Sequence, residues 1–224
     1  VSAQPQPYST QTRIGRLGYV FNQFKPTEFD HQVARLFVLA EDLRIELHGI
    51  SETSLPSMDL VSAAYRRHYF LRRSLATLYE FAESLEATGR QPAFAHVHRL
   101  FDPKMRKFWD RALRLFDANR PLLDILRNNI GGHFGDGATK VAIRALTDQH
   151  TGSLDVMHYP GGKGGAIFKF AEELTAVAFK SHCDDKKIKV SIHRAIKLSR
   201  LLYCAAIEAT YCLTSVYIWD RFGK

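Results

Sequence analysis

A guanidinium, a carboxamide and an imidazole lie close together in the stretch Ile125-Leu126-Arg127-Asn128-Asn129-Ile130-Gly131-Gly132-His133-Phe134. Arginine keeps its charge at any ordinary pH and presents a planar fork matched to phosphate oxygens. Histidine titrates near neutrality, so it can give or take a proton. Arg127 and His133 together therefore suit chemistry on a phosphate ester, one group on the anion and the other moving a proton. Asn128 could orient the imidazole, and Asp124, one turn earlier, could hold the guanidinium. The plain structural reading of the same residues is a helix-end ion pair between Arg127 and Asp124 with a structural histidine beyond it. On an ideal helix six positions turn through about 600°, which leaves His133 roughly 120° from Arg127. Gly131-Gly132 can break that regularity and let the ring swing back, and the same pair also serves as an ordinary helix stop.

Three other stretches carry weaker signals. Gly161, Gly162, Lys163 and Gly164 form a possible phosphate-binding nest, without Walker spacing or a hydroxyl after the lysine. A flexible loop or hairpin is the competing reading. His96-Val97-His98 alternates like two strand ligands for a metal, but no third ligand completes the set, so a surface or core pair is expected. Arg66, Arg67, Arg72 and Arg73 make one basic cluster, and Lys104, Arg106, Lys107, Arg111 and Arg114 another. Two basic helices flanking a shared groove would suit a nucleic-acid backbone, and a solvated charged face is the alternative.

The elements that must position these residues read as helices. Phe29, Val33, Leu36, Ala40, Leu43 and Leu47 recur at helical intervals, predicting a helix from about Pro26 to His48, capped by Thr27 and stopped by Gly49. A second is expected from Asp59 to Thr88, ending at Gly89. A third begins near Pro103, with Pro121 expected to kink or restart it before Leu122–Ile130. Val141, Ile143 and Leu146 mark a short element. Residues 152–165 are glycine-rich, and Ala166–Phe179 leaves helix and strand undecided. A long helix from Ser191 to Phe222 closes the chain. Short connections between long amphipathic helices favour an antiparallel bundle. No boundary divides residues 26–224, and residues 1–25 read as a flexible lead-in.

The chain has 224 residues, enough for a sizeable core, and its 46% apolar and 24% charged residues exclude disordered, collagen-like and disulfide-stapled classes. A formal charge of +8 leans towards an anionic partner. Three cysteines without a C-x-x-C pair suggest reduced thiols and no zinc site, and the spacing of Cys204 and Cys212 suggests two buried core thiols. The N-terminal stretch has no apolar signal-peptide core. Leu201–Trp219 is apolar enough to resemble a membrane span, but Glu208 near its middle favours a core helix.

At Arg127-Asn128 and His133, within a helical frame, the sequence resembles the HEPN superfamily, whose members share an Arg, a polar residue and a His four to six residues on. The resemblance implies an all-α, HEPN-like antiparallel bundle, here with a glycine-rich insertion before the long C-terminal helix. It also implies a metal-independent endoribonuclease without cofactors, of toxin or defence type. Two subunits of a homodimer would each supply Arg127 and His133 to one cleft, with Asn128 and Asp124 supporting. RNA carries its own nucleophile, the 2′-hydroxyl, so cleavage needs proton transfer and charge stabilisation only. A cytoplasmic location, RNA, and an antitoxin or other protein partner follow as expectations, with no membrane role. The competing functions are a non-catalytic HEPN-like interaction module and a small-molecule or nucleotide-binding protein.

Overall fold

Thr27 opens the first helix through a reciprocal cap. Its hydroxyl accepts the Asp30 N–H at 3.2 Å, while the Asp30 carboxylate accepts the Thr27 N–H at 3.2 Å and the hydroxyl at 2.7 Å. The computed structural model describes residues 27–51, 60–129, 136–146, 154–158, 164–168, 170–185 and 191–222. The proposed lead-in, residues 1–25, lies outside the described residues.

Four long helices form an all-α bundle: α1 (Glu28–Ser51), α2 (Leu60–Arg90), α4 (Pro103–Asn129) and α7 (Ile192–Phe222). Their buried positions follow the apolar periodicity: Val33, Leu36 and Ala40 on α1, Leu71, Leu75 and Leu78 on α2, Leu123 and Leu126 on α4. Neighbours run antiparallel. Arg35 meets Glu80 and Gly49 meets Phe70 across α1 and α2. Glu86 meets Arg120 and Glu80 meets Arg127 across α2 and α4. Asp30 meets Tyr217 and Ser51 meets Arg200 across α1 and α7.

Helix α7 is long and apolar enough to cross a membrane by length and composition. In the bundle its small-residue face, Ala205, Ala206 and Ala209, is fully buried. Glu208, the residue that interrupts its apolar run, reaches Arg111 of α4 at 3.2 Å. The two cysteines on it differ: Cys212 is buried and Cys204 is exposed. Eight helical positions turn through about 800°, which leaves the two thiols roughly 80° apart, enough to carry Cys204 out of the core.

Several expected boundaries shift for physical reasons. Gly49 does not stop α1, which continues to Ser51. A Cβ there would overlap the Phe70 ring, so the glycine permits close approach of α2. Pro121 does not restart α4, which runs unbroken from Pro103 to Asn129. The proline is exposed, so only the Asp117 carbonyl loses its helical donor, on the water side. His96-Val97-His98 is not a strand: it lies in α3 (Pro92–Leu100), with Pro92 in the first turn. Val97 points inward, and the His98 ring sits 5.4 Å from both Phe94 and Phe101. Phe94 and Phe101 in turn flank Trp109, which is 1% exposed at the centre of the core.

Between α4 and α7 lies a second, smaller unit. Helix α5 (Asp136–Ala145) packs on α6 (Phe170–Asp185), with an antiparallel hairpin of β1 (Leu154–His158) and β2 (Gly164–Phe168) between them in sequence. The undecided segment Ala166–Phe179 thus divides into the end of β2 and the start of α6. Among the described residues this hairpin is the only sheet.

Candidate functional site

Arg127 and Asn128 stand in the last turn of α4, where the helix dipole favours a cation. The Arg127 side chain is 41% exposed, and its Nη2 donates to Glu80 Oε1 of α2 at 2.8 Å. The other Glu80 oxygen accepts from Arg35 of α1 at 2.6 Å. One carboxylate therefore holds two guanidiniums from two different helices, leaving a local excess of positive charge. The Arg127 guanidinium also lies over the Tyr79 ring, 4.5 Å from its centroid. These contacts fix the group at an exposed position, a form of preorganisation.

The expected partnership between Asp124 and Arg127 is replaced by another. Asp124 Oδ1 accepts from Asn128 Nδ2 at 3.0 Å, an i,i+4 pair on one helix face, while Arg127 turns towards α2. His133 lies outside the described residues. Arg35, Tyr79 and Glu80 are the supporting residues that sequence reasoning did not assign to the site. Their pairing depends on helix register across the bundle, which no local pattern displays.

A second guanidinium continues the same face. Arg120 pairs with Glu83 at 2.6 Å and Glu86 at 2.9 Å, and lies 5.4 Å from the Tyr79 centroid. Beside it a half-open groove of about 270 Å³ runs between α2 and α4. Ala82, Leu85, Leu113 and Phe116 give it an apolar lining, with Glu86, Arg114, Asp117 and Arg120 as its charged residues.

The two basic clusters do not flank this groove together. Leu113–Arg120 of α4 meets Ala82–Glu86 of α2 there, and the helices are antiparallel. Lys104–Lys107 therefore lies beyond one end of that contact and Arg66–Arg73 beyond the other. Seventeen helical residues separate Arg73 from Arg90, about 25 Å along α2. Several members already have work to do in the fold. Arg73 approaches Glu46 at 3.7 Å, Arg111 pairs with Glu208, and Arg106 donates to the Arg99 carbonyl at 3.1 Å. Arg72 lies 6.0 Å from the Tyr69 ring centroid and Lys104 5.6 Å from that of Phe108. Arg66 and Arg67 are partly buried.

Of the possible phosphate nest, Gly161, Gly162 and Lys163 lie outside the described residues, and Gly164 begins β2, paired with His158. Among the described residues, no group of three or more His, Cys, Asp or Glu side chains could hold a metal ion.

Two titratable groups are displaced from their ordinary ranges near the α2 basic cluster. Burial pushes the Glu46 carboxyl up to about 7, against the pull of the Thr77 hydroxyl and Arg73. Its Oε1 accepts from Thr77 at 2.9 Å, and its Oε2 is buried without a hydrogen-bond partner. Burial, aided by the neighbouring Arg72 charge, pushes His68 down. Comparison of the chain with protein-family models, curated protein sequences and solved structures found no match.

Proposed function

We propose that the chain is a HEPN-like, metal-independent endoribonuclease of toxin or defence type, acting in the cytoplasm as a homodimer. The reading is supported above all by Arg127, an exposed guanidinium held by Glu80 and Tyr79 in the same helical turn as Asn128, six residues before His133. In this reading Arg127 binds the scissile phosphate through the donors that Glu80 leaves free. His133 takes the proton from the 2′-hydroxyl. The oxygen then attacks phosphorus, the bond to the 5′-oxygen breaks, and that oxygen leaves with a proton from the second subunit's imidazole. The products are a 2′,3′-cyclic phosphate and a 5′-hydroxyl. Asn128, steadied by Asp124, positions the sugar or the ring.

The test is RNA cleavage in the presence of chelator. Arg127→Ala and His133→Ala should each abolish cleavage while far-UV circular dichroism and Tm stay near wild type. Undiminished cleavage in both variants contradicts the assignment.

A second reading, a non-catalytic HEPN-like module that binds an antitoxin or other protein, is favoured by the ion pairs themselves. Glu80 bridges Arg127 to Arg35, and Glu83 and Glu86 clamp Arg120, so these arginines brace α1, α2 and α4. Under this reading RNA stays intact with the wild-type protein and with Arg127→Ala alike.

A further inference from the structure

The half-open groove of about 270 Å³ between α2 and α4 joins an apolar floor to polar groups without partners. Ala82, Leu85 and Phe116 are buried beneath it, and Leu113 is half-buried. A cavity of about 150 Å³ takes one benzene-sized group, so this groove has room for about two apolar side chains. Arg120 lines it and buries Nη1 without a hydrogen-bond partner, although Nη2 meets Glu83 and Glu86. Arg114 and Asp117 are exposed and make no ion pair among the described residues. The groove therefore offers a carboxylate open to a cation and guanidinium donors open to a carbonyl. Thr27, the residue before α1, stands at the same end of the bundle. Ser84 Oγ donates to Gln32 Oε1 at 3.4 Å, and α1 and α2 are antiparallel, so Thr27 lies at the Glu86 end of α2.

We propose that the segment preceding α1 docks in this groove of its own chain, seating Ile14 and Leu17 on the apolar floor and Arg13 or Arg16 on Asp117. Residues 1–26 lie outside the described residues, and their sequence, reach and charge suit the groove. Arg13, Arg16 and Lys25 make the segment basic, and the first carboxylate of the chain is Glu28. Such a segment complements a free carboxylate, and its backbone carbonyls can accept from Arg114 and from Arg120 Nη1. Reach selects the anchors. Helices α1 and α4 both pack on α2, so the path from Thr27 crosses about two interhelical spacings, roughly 16–20 Å. An extended chain covers at most about 3.3–3.6 Å per residue. Phe24, three residues from Thr27, reaches only about 10 Å, and Phe21 is taut at about 20 Å. Leu17, ten residues away, reaches about 33 Å and has slack. Ile14 and Leu17 then bring two branched apolar side chains to a space for about two. The dock is independent of the nuclease reading, because it invokes neither Arg127 nor His133.

Photo-crosslinking on the full chain locates the segment. With Leu17 exchanged for p-benzoylphenylalanine, an apolar photoreactive side chain, the crosslinks read by mass spectrometry should fall on Ala82–Glu86 and Leu113–Arg120. In a mixture of isotopically light and heavy chains they should join peptides of one chain. Crosslinks that scatter or land elsewhere overturn the dock. Crosslinks that join light to heavy chains place the segment on a second copy and overturn it too. In the unmodified chain, hydrogen exchange across residues 13–18 should run several-fold slower than the intrinsic rate. Ile14→Asp combined with Leu17→Asp should return it to that rate while α1 keeps its protection. Intrinsic exchange in the wild type, or protection that survives both substitutions, contradicts the proposal.

Discussion

The bundle and the α5–α6 unit are both helical, yet they are held in different ways. The bundle shares one continuous core across α1, α2, α4 and α7, anchored by large fully buried side chains such as Trp109, Phe81 and Leu36. Among the described residues, the smaller unit has a separate cluster of Ala142 and Ala178 with Leu174 and Val177, and it touches the bundle mainly along α2. Phe179 of α6 also joins the bundle core, which ties the smaller unit to it. The same division separates the two displaced titrations. Glu46 lies inside the bundle between α1 and α2, while His68 lies where α2 meets α6.

The largest effect should come from the bundle's centre. Trp109→Ala removes the ring between Phe94 and Phe101 and should lower unfolding free energy by about 3–5 kcal/mol, read from the midpoint of a urea transition. Next is Glu46→Gln. The folded carboxyl titrates at about 7 against an ordinary 4.5, so the folded state binds the extra proton and stability falls as the pH rises between those values. Removing the buried charge should stabilise the protein at pH 8 by up to about 3 kcal/mol and leave pH 4 little changed, flattening that part of the pH profile. Gly49→Ala should cost about 1–2 kcal/mol, because the new methyl meets Phe70 and outweighs alanine's better helix propensity. Smallest is Leu174→Ala, which should change the global midpoint by less than about 1 kcal/mol while clearly raising hydrogen exchange in α5 and α6. If Leu174→Ala instead lowers the midpoint as much as Trp109→Ala, the two regions are one cooperative core and the comparison fails.

The long helices were legible because their apolar positions repeat over six or more turns and their starts carry short polar caps, Thr27 on α1 and Ser191 on α7. Helix α3 escaped because nine residues give too few turns for periodicity, and His96-Val97-His98 mimics a strand. Its one local signal was Pro92 in the first turn. Gly49 and Pro121 misled for a common reason: each carries a strong local preference that tertiary context overrode. A close neighbour needed the glycine, and an exposed helix face tolerated the proline. At the candidate site, residue type alone singled out Arg127 and Asn128. Their partners were not legible, since Glu80 reaches Arg127 across 47 residues, and Arg35 reaches Glu80 across 45, through bundle register. Asp124 shows the complementary limit. Helical spacing allowed it either Arg127 or Asn128, and the carboxylate across the groove decided the matter.

The central functional claim is that two copies of the chain bring Arg127 and His133 to one phosphate. The most direct measurement is the separation and facing of the two His133 imidazoles in a crystal structure of the dimer formed in solution. The account predicts a two-fold dimer whose imidazoles open onto one groove beside both Arg127 side chains. A chain that stays monomeric, or a dimer that holds the two rings on opposite faces, would contradict it.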